Sequence, residues 1–265
     1  MSTVTSVTWL TTHSSDGVRW LTIDRPDRKN AIPADGWHLL GEALTGFEVS
    51  SDRVLVVTGA GGDFCAGVDL GGDRFTGDSS VTDTHRRMKT IGQVALALHR
   101  CTKPTVAAVD GVAVGAGMNL ALGCDVVIAS DRARFSEIFV RRGLSVDFGG
   151  TWLLPRIVGL QRAKDLALSG RIVDADEAVR LGLAMEVVPA ADLVGRAGEV
   201  AVSFLEGAPV AQMFTKQALN ASFEMSFADA VGWEGQSQAI AAATEDVVEG
   251  VVAFREKRDP VWKGR

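Results

Sequence analysis

"TVAAVDGVAVGAGMNLALGCDVVIAS", residues 105–130, carries the reading of the fold. Its ends, "TVAAVDG" and "CDVVIAS", are short β-branched apolar runs of the kind that form buried strands. Between them "VGAGMNLALG" is rich in glycine at its start and favours helix afterwards, so a helix is expected to begin directly in a glycine turn.

Working outward, the same alternation of strand and helix repeats. "VRWLTIDRP" and "RVLVVTGAGG" (53–62) read as strands, and between them "PADGWHLLGEALTGFEV" sets Trp37, Leu40, Leu44 and Phe47 at helical spacing, with Pro33 expected in the first turn. "HRRMKTIGQVALALHRCTKP" places Met88, Ile91, Val94, Ala95 and Leu98 on one helical face, closed by Lys103 and Pro104. The polar, glycine-rich stretch 71–84 before it reads as a mobile loop able to close over a ligand, or as a solvated connection. "LQRAKDLALSG" reads as a helix ending at Gly170, "DADEAVRLGL" offers Asp174 and Glu177 as a capping box, and "AMEVVP" is a strand. Beyond about residue 190 the segments are helical alone, so the expected division is an α/β core over 1–192 and a helical region over 193–265. That region is amphipathic and is expected to cover another subunit rather than its own core.

Composition narrows the function. A formal charge of -6 and a pI near 5.3 argue against a nucleic-acid surface. No apolar run reaches the roughly 18 residues that span a bilayer, and the first residues lack the pattern of a signal peptide, so a cytoplasmic protein with no membrane partner is expected. Cys65, Cys101 and Cys124 are spaced for neither a disulfide framework nor a metal site, and His13, His38, His85 and His99 show no ligand spacing, so no metal is expected.

Two glycine corners could carry chemistry: "TGAGGDFCAGVDL" (58–70) and "DGVAVGAGMNL" (110–120). Glycine lets a ligand approach the main chain, and free N–H groups at a helix start favour negative charge. Two such corners meeting would form an oxyanion hole; separately, each would be a tight turn. "TGAGG" is a poor dinucleotide turn, because Phe64 replaces the third glycine. A nucleophilic serine is unsupported, since no G-x-S-x-G occurs.

"DFCAGVDL", "KPTVAAVDGVAVGAGMNLALGCDVVIAS", "RARFSEIFVRRGLSVDFGGTWLLPRIVG" and "EGVVAFREKRDPVWKG" together resemble the crotonase, or enoyl-CoA hydratase/isomerase, superfamily, in order from about residue 18 to 263. The resemblance implies an α/β spiral of β-β-α turns with a helical C-terminal trimerisation region, assembled as a homotrimer or a dimer of trimers. It implies an acyl-CoA thioester as substrate and no further cofactor. The oxyanion N–H donors would be those of Val68 and Ala116. Ala66, Asp69 and Leu70 would lie along the CoA, with Arg25, Arg28 and Lys29 as candidates for its phosphates.

Hydratases of the family use two glutamates, and the matching positions here are Asn119 and Phe139, neither of which transfers a proton. Both are kept as substrate-contacting candidates, Asn119 also as a residue that could orient a neighbour or only fill space. Glu137, two positions before Phe139, is expected to point elsewhere as a surface or ion-paired glutamate, its use with Asp147 in hydration being the alternative. Asp147 in "GLSVDFGGTW" (143–152) is the carboxylate that remains. It could cap a helix starting near Gly149. The neighbourhood resembles members of the family that shift double bonds or isomerise ring-epoxyphenylacetyl-CoA, which makes Asp147 the catalytic acid/base and the chain an acyl-CoA isomerase. Val146, Phe148 and Phe139 would raise its proton affinity, and Trp152 with Phe139 hints at an apolar acyl pocket. An acyl-CoA-binding member without catalysis is the remaining reading.

Overall fold

The structure is a computed structural model and describes residues 9–71 and 80–265. Strand β1 (Leu10–Ser15) pairs antiparallel with β2 (Val18–Ile23) through Asp16 and Gly17. Both turn residues have positive φ (51° and 83°), which matches the right-handed twist of a two-residue hairpin. Helix α1 (Trp37–Glu48) follows; Pro33 lies in the turn before it and Gly36 is its N-cap, so the proline stands outside the first helical turn. Strand β3 (Val54–Gly59) then runs parallel to β2. Helix α2 (Val81–His99) starts at a Ser80 cap whose side chain accepts from the Asp83 N–H. Residues 81–84 of the expected loop are therefore helical, and 72–79 lie outside the described residues.

The stretch that opened the reading contains strand β4 (Thr105–Val109), a second short strand β5 (Val112–Val114), helix α3 (Ala116–Leu122) and strand β6 (Val126–Ser130). Next come β7 (Arg134–Ser136), a 3-10 turn over Ile138–Arg142, α4 (Gly150–Val158), α5 (Leu160–Ser169), β8 (Val173–Asp174), α6 (Ala175–Leu181) and β9 (Glu186–Val188). Asp174 caps α6 through the Glu177 N–H, but the Glu177 carboxylate binds Arg171 instead of closing the box.

Two sheets result, β1-β2-β3-β4-β6-β9 and β5-β7-β8. Successive segments place one strand in the large sheet, turn a corner, place a second strand in the small sheet and return through a helix, which is the expected β-β-α spiral. The large sheet is buried on both faces, and β3 shows this: Leu55 and Val57 join the core beneath α1 and α2, Val54 and Val56 the core beneath helix α7 (Leu193–Leu205).

Helix α7 buries Leu193, Ala197, Val200 and Ala201 against β2, β3, β4 and β6 of its own chain. For this helix the expected cover of another subunit is corrected, because its apolar stripe is used up within the chain. Helices α8 (Pro209–Ala221) and α9 (Phe227–Ala241) bury no residue, and α10 (Glu245–Glu256) buries only Asp246 and Ala253. No helix among the described residues is long and apolar enough to cross a membrane.

Candidate active site

The spiral brings the two glycine corners into contact. Cys65 N–H donates to Val112 O at 2.8 Å and Val114 N–H donates to Cys65 O at 3.1 Å, so the first corner extends the edge of β5. Glycine is required where they touch. At Gly67 (φ 83°) a Cβ would sit 2.9 Å from Val114 O and 3.3 Å from Ala116 N, and at Gly117 it would sit 2.1 Å from Cys65 O. Ala116 is the first residue of α3, where a main-chain N–H has no partner within the helix. In the bridge between residues 32 and 68, Gly67 O accepts from Ile32 and Asp69 N–H donates to Ile32, leaving the Val68 N–H out of it. Val68 and Ala116 border the same cavity, as a two-donor oxyanion hole requires.

The cavity encloses about 300 Å³. It is lined by Ala66, Val68 and Leu70 of the first corner, Met88 and Ile91 of α2, Ile138 and Phe139, and Leu144 to Asp147. Asp147 is the one carboxylate residue on its wall among the described residues. The alternative of a helix cap is corrected: Gly149 is the N-cap of α4 and no side chain caps that end. The Asp147 main-chain oxygen, not its carboxylate, accepts from Gly150 N–H at 3.0 Å. Phe148 (φ 52°) and Gly149 (φ 78°) bend the chain sharply, and a non-glycine residue held at positive φ is a strain found often at functional sites. The bend drives the Phe148 ring into the core against Trp37, at 5.5 Å between centroids, and leaves Asp147 on the cavity wall. Burial pushes the Asp147 carboxyl up to about 6.

Glu137 corrects the expectation of a surface residue, for it is fully buried. It stands at the N-cap of the 3-10 turn just after β7, next to the buried Phe135 and Ser136. Burial, with a further push from the Asp147 charge, raises its carboxyl to about 8 against an opposing hydrogen bond from Asn119. Asn119 is also fully buried and lies behind the cavity wall, which corrects its assignment as a substrate contact. Its Nδ2 donates to Asp147 O at 3.0 Å and reaches Glu137 Oε2 at 3.4 Å. The reason lies in the packing, since a Cβ on Gly150 would fall 2.3 Å from that Nδ2 and only glycine admits the amide.

Of the other candidates, Ala66, Leu70 and Phe139 line the cavity. Asp69 is held by Arg25 Nη1 at 3.0 Å and by Gly71 N–H at 2.9 Å, and both interactions keep its carboxyl below the usual range despite partial burial. Arg25 also donates to Ala31 O, so it braces this corner rather than meeting a phosphate freely. Arg28 and Lys29 are exposed beside it, Lys29 O accepting from Ala66 N–H. Trp152 does not line this cavity but a separate one beside α8; its ring stacks 3.8 Å from the Arg156 guanidinium and its Nε1 donates to Glu224. Thr84, Arg87, Arg142 and Ser145 border the cavity without having been singled out in the sequence, because neither glycine content nor a carboxylate marks them.

Comparison with known proteins agrees with this geometry. The sequence pattern of the enoyl-CoA hydratase/isomerase family matches residues 13–265. A probable enoyl-CoA hydratase of Rhodobacter capsulatus is 39% identical, covering 95% of this chain and 96% of that protein. The 1,2-epoxyphenylacetyl-CoA isomerase of Escherichia coli is 35% identical over 97% of this chain and 99% of that one. The crystal structure of an enoyl-CoA hydratase/isomerase from Cupriavidus metallidurans superposes with a TM-score of 0.90 at 39% identity, covering 98% of this chain and 97% of that one. The fold, the paired glycine corners and the cavity they share with Asp147 stand together with these matches. The chain belongs to the enoyl-CoA hydratase/isomerase family.

Proposed function

We propose that the protein is an acyl-CoA isomerase that shifts a double bond from the 3-enoyl to the 2-enoyl position, or rearranges a ring-CoA thioester, with Asp147 as acid/base. The observation that carries this is Asp147 on the wall of the cavity that Val68 and Ala116 border, where it is the one carboxylate residue among the described residues. In the 3-enoyl case the carboxylate takes a proton from C2, the C–H pair forms the dienolate, and the thioester oxygen gains charge facing the two N–H groups. The protonated aspartate then delivers the same proton to C4 as the C2–C3 double bond forms, so no net proton, water or electron is consumed.

Hydration needs one group to activate water and another to handle the proton at the neighbouring carbon. Asn119 and Phe139 supply neither. A hydratase-like reaction using Glu137 with Asp147 is the second reading, favoured by their electrostatic contact, but Glu137 lies behind the cavity wall. A purely binding role would suit an Asp147 remote from the oxyanion corners, whereas here they share one cavity.

The test is turnover of 3-enoyl-CoA and 2-enoyl-CoA thioesters: double-bond migration supports the reading, and efficient hydration without migration rejects it. A pH profile adds a second check. Asp147 must be ionised to begin, so kcat/KM is expected to rise with pH through about 6 and to fall away below it. A profile flat from pH 5 to 8, as expected of an unperturbed carboxylate, would show that burial does not raise the Asp147 carboxyl in the working enzyme.

Arg28 and Lys29 are assigned to the CoA phosphates on their exposure beside residues 66–71. The double variant Arg28→Ala/Lys29→Ala is expected to raise KM for CoA thioesters about five- to tenfold while kcat changes less than about twofold, as for loss of uniform binding. Pantetheine thioesters, which lack those phosphates, should show no such rise. A homotrimer or dimer of trimers is proposed from the exposed apolar residues of the C-terminal helices, Phe223, Phe227, Trp233 and Phe254 among them.

A further inference from the structure

Three buried oxygens of residues linked through Asn119 lack donors. Glu137 Oε1, Asn119 Oδ1 and Asp147 Oδ1 are each buried and have no protein hydrogen-bond partner. The Asn119 amide already spends its Nδ2 on Asp147 O and Glu137 Oε2. Two ionised carboxylates offer acceptors only, so the cluster lacks a donor unless one of them carries a proton. Glu137 is fully buried and Asp147 only partly, which makes Glu137 the cheaper place for it. We propose that Glu137 is a positioning residue for Asp147: a neutral carboxyl that braces Asn119, holds the bent Asp147 segment through it, and disables the site when it ionises.

Among the described residues, the surrounding elements bring no cation to offset an ionised Glu137. Helix α3 carries no charged residue. On the adjoining 3-10 turn, Arg141 Nε donates to Ser169 O and Arg142 Nη1 to Arg141 O. On β7, Arg134 donates to Ala133 O, and across from it Asp174 caps α6. In α4, Arg156 stacks on Trp152; in α5, Asp165 pairs with Arg171, and Arg162 and Lys164 are exposed. Among the described residues, the charge that acts on Glu137 is that of Asp147, and it has the same sign. Ionisation of Glu137 therefore sets a second negative charge near Asp147, draws the shared Asn119 Nδ2 toward Glu137 and away from the Asp147 main chain, and raises the proton affinity of the base.

This inference rests on the isomerase reading for its kinetic consequence but not for its chemical one. With 3-enoyl-CoA as substrate, the wild type is expected to lose kcat as pH rises through about 8. Glu137→Ala should lower kcat about tenfold or more with KM within about twofold, and Glu137→Gln, which mimics the neutral acid, should restore most of it and remove the alkaline loss. An alkaline loss retained in Glu137→Gln overturns the proposal. So does a Glu137→Gln enzyme as inactive as Asp147→Asn, which would make Glu137 a proton-transferring group. Independently of any substrate, infrared spectra of protein carrying isotope-labelled glutamate should show a neutral-carboxyl C=O stretch at pH 7 that titrates near pH 8 and is missing from Glu137→Gln. Its absence from the wild type overturns the assignment even if the isomerase activity stands, and its presence without isomerase activity sinks the functional reading alone.

Discussion

Asp147→Asn is expected to lower kcat for double-bond migration by about 10³-fold or more while KM moves less than about threefold. One carboxylate removes the proton and returns it, so both half-reactions lose their acid/base in a single substitution. The amide keeps the shape of the side chain and leaves the oxyanion corners in place, so thioester binding persists. Stability should move the other way. The folded carboxyl titrates at about 6 against an ordinary 3.8, so its favourable contribution is complete below about pH 4 and lost as pH rises through 6. At pH 7 the ionised group is a net burden, and replacing it by a neutral amide should stabilise the protein by on the order of 2 kcal/mol, a gain absent at pH 4. Urea denaturation at the two pH values, beside steady-state kinetics, checks both halves. An Asp147→Asn enzyme with undiminished migration would refute the mechanism.

Gly117→Ala is the second large effect expected. The added Cβ would stand 2.1 Å from Cys65 O and 2.8 Å from Cys65 C, so main chain meets main chain and no side-chain rotation relieves the clash. The corners must part, which separates Val68 N–H from Ala116 N–H. Losing the alignment of an oxyanion donor lowers kcat by about 10²- to 10³-fold, and overpacking of this kind destabilises by about 1–3 kcal/mol. Gly92 in α2 is the control: nothing lies within 4 Å of a Cβ built there, so Gly92→Ala should be neutral or stabilise by about 0.5–1 kcal/mol. Circular dichroism melts with kcat/KM for the pair would separate a general intolerance of alanine from the specific contact of the corners.

Much of this architecture is legible before any coordinates. Residues 105–130 fold as their patterning predicts, into β4, β5, α3 and β6, because buried β-branched runs and a positive-φ glycine (Gly115, φ 56°) leave the chain few local choices. The two corners and the lone acid in "GLSVDFGGTW" could be picked out for the same reason: glycine marks close main-chain approach, and a carboxylate in an apolar run is conspicuous. Glu137 was misplaced where a strand gives way to a 3-10 turn, since its direction depends on where β7 ends. Arg25, a phosphate candidate by resemblance, and Trp152, a hint of an apolar acyl pocket, each bond a neighbour distant in sequence, Asp69 in one case and Glu224 in the other.

By itself, then, the sequence determined the alternation of strands and helices and the glycine corners, which follow from local sterics, while Asp147 stood out as candidate acid through the family resemblance. Only the tertiary structure decided that Gly150 makes room for Asn119, that Asn119 grips the main chain of Asp147, and that Glu137 lies buried behind both. Burial, and the proton affinity it confers, comes from elements that meet only when the spiral closes, and no residue carries it alone.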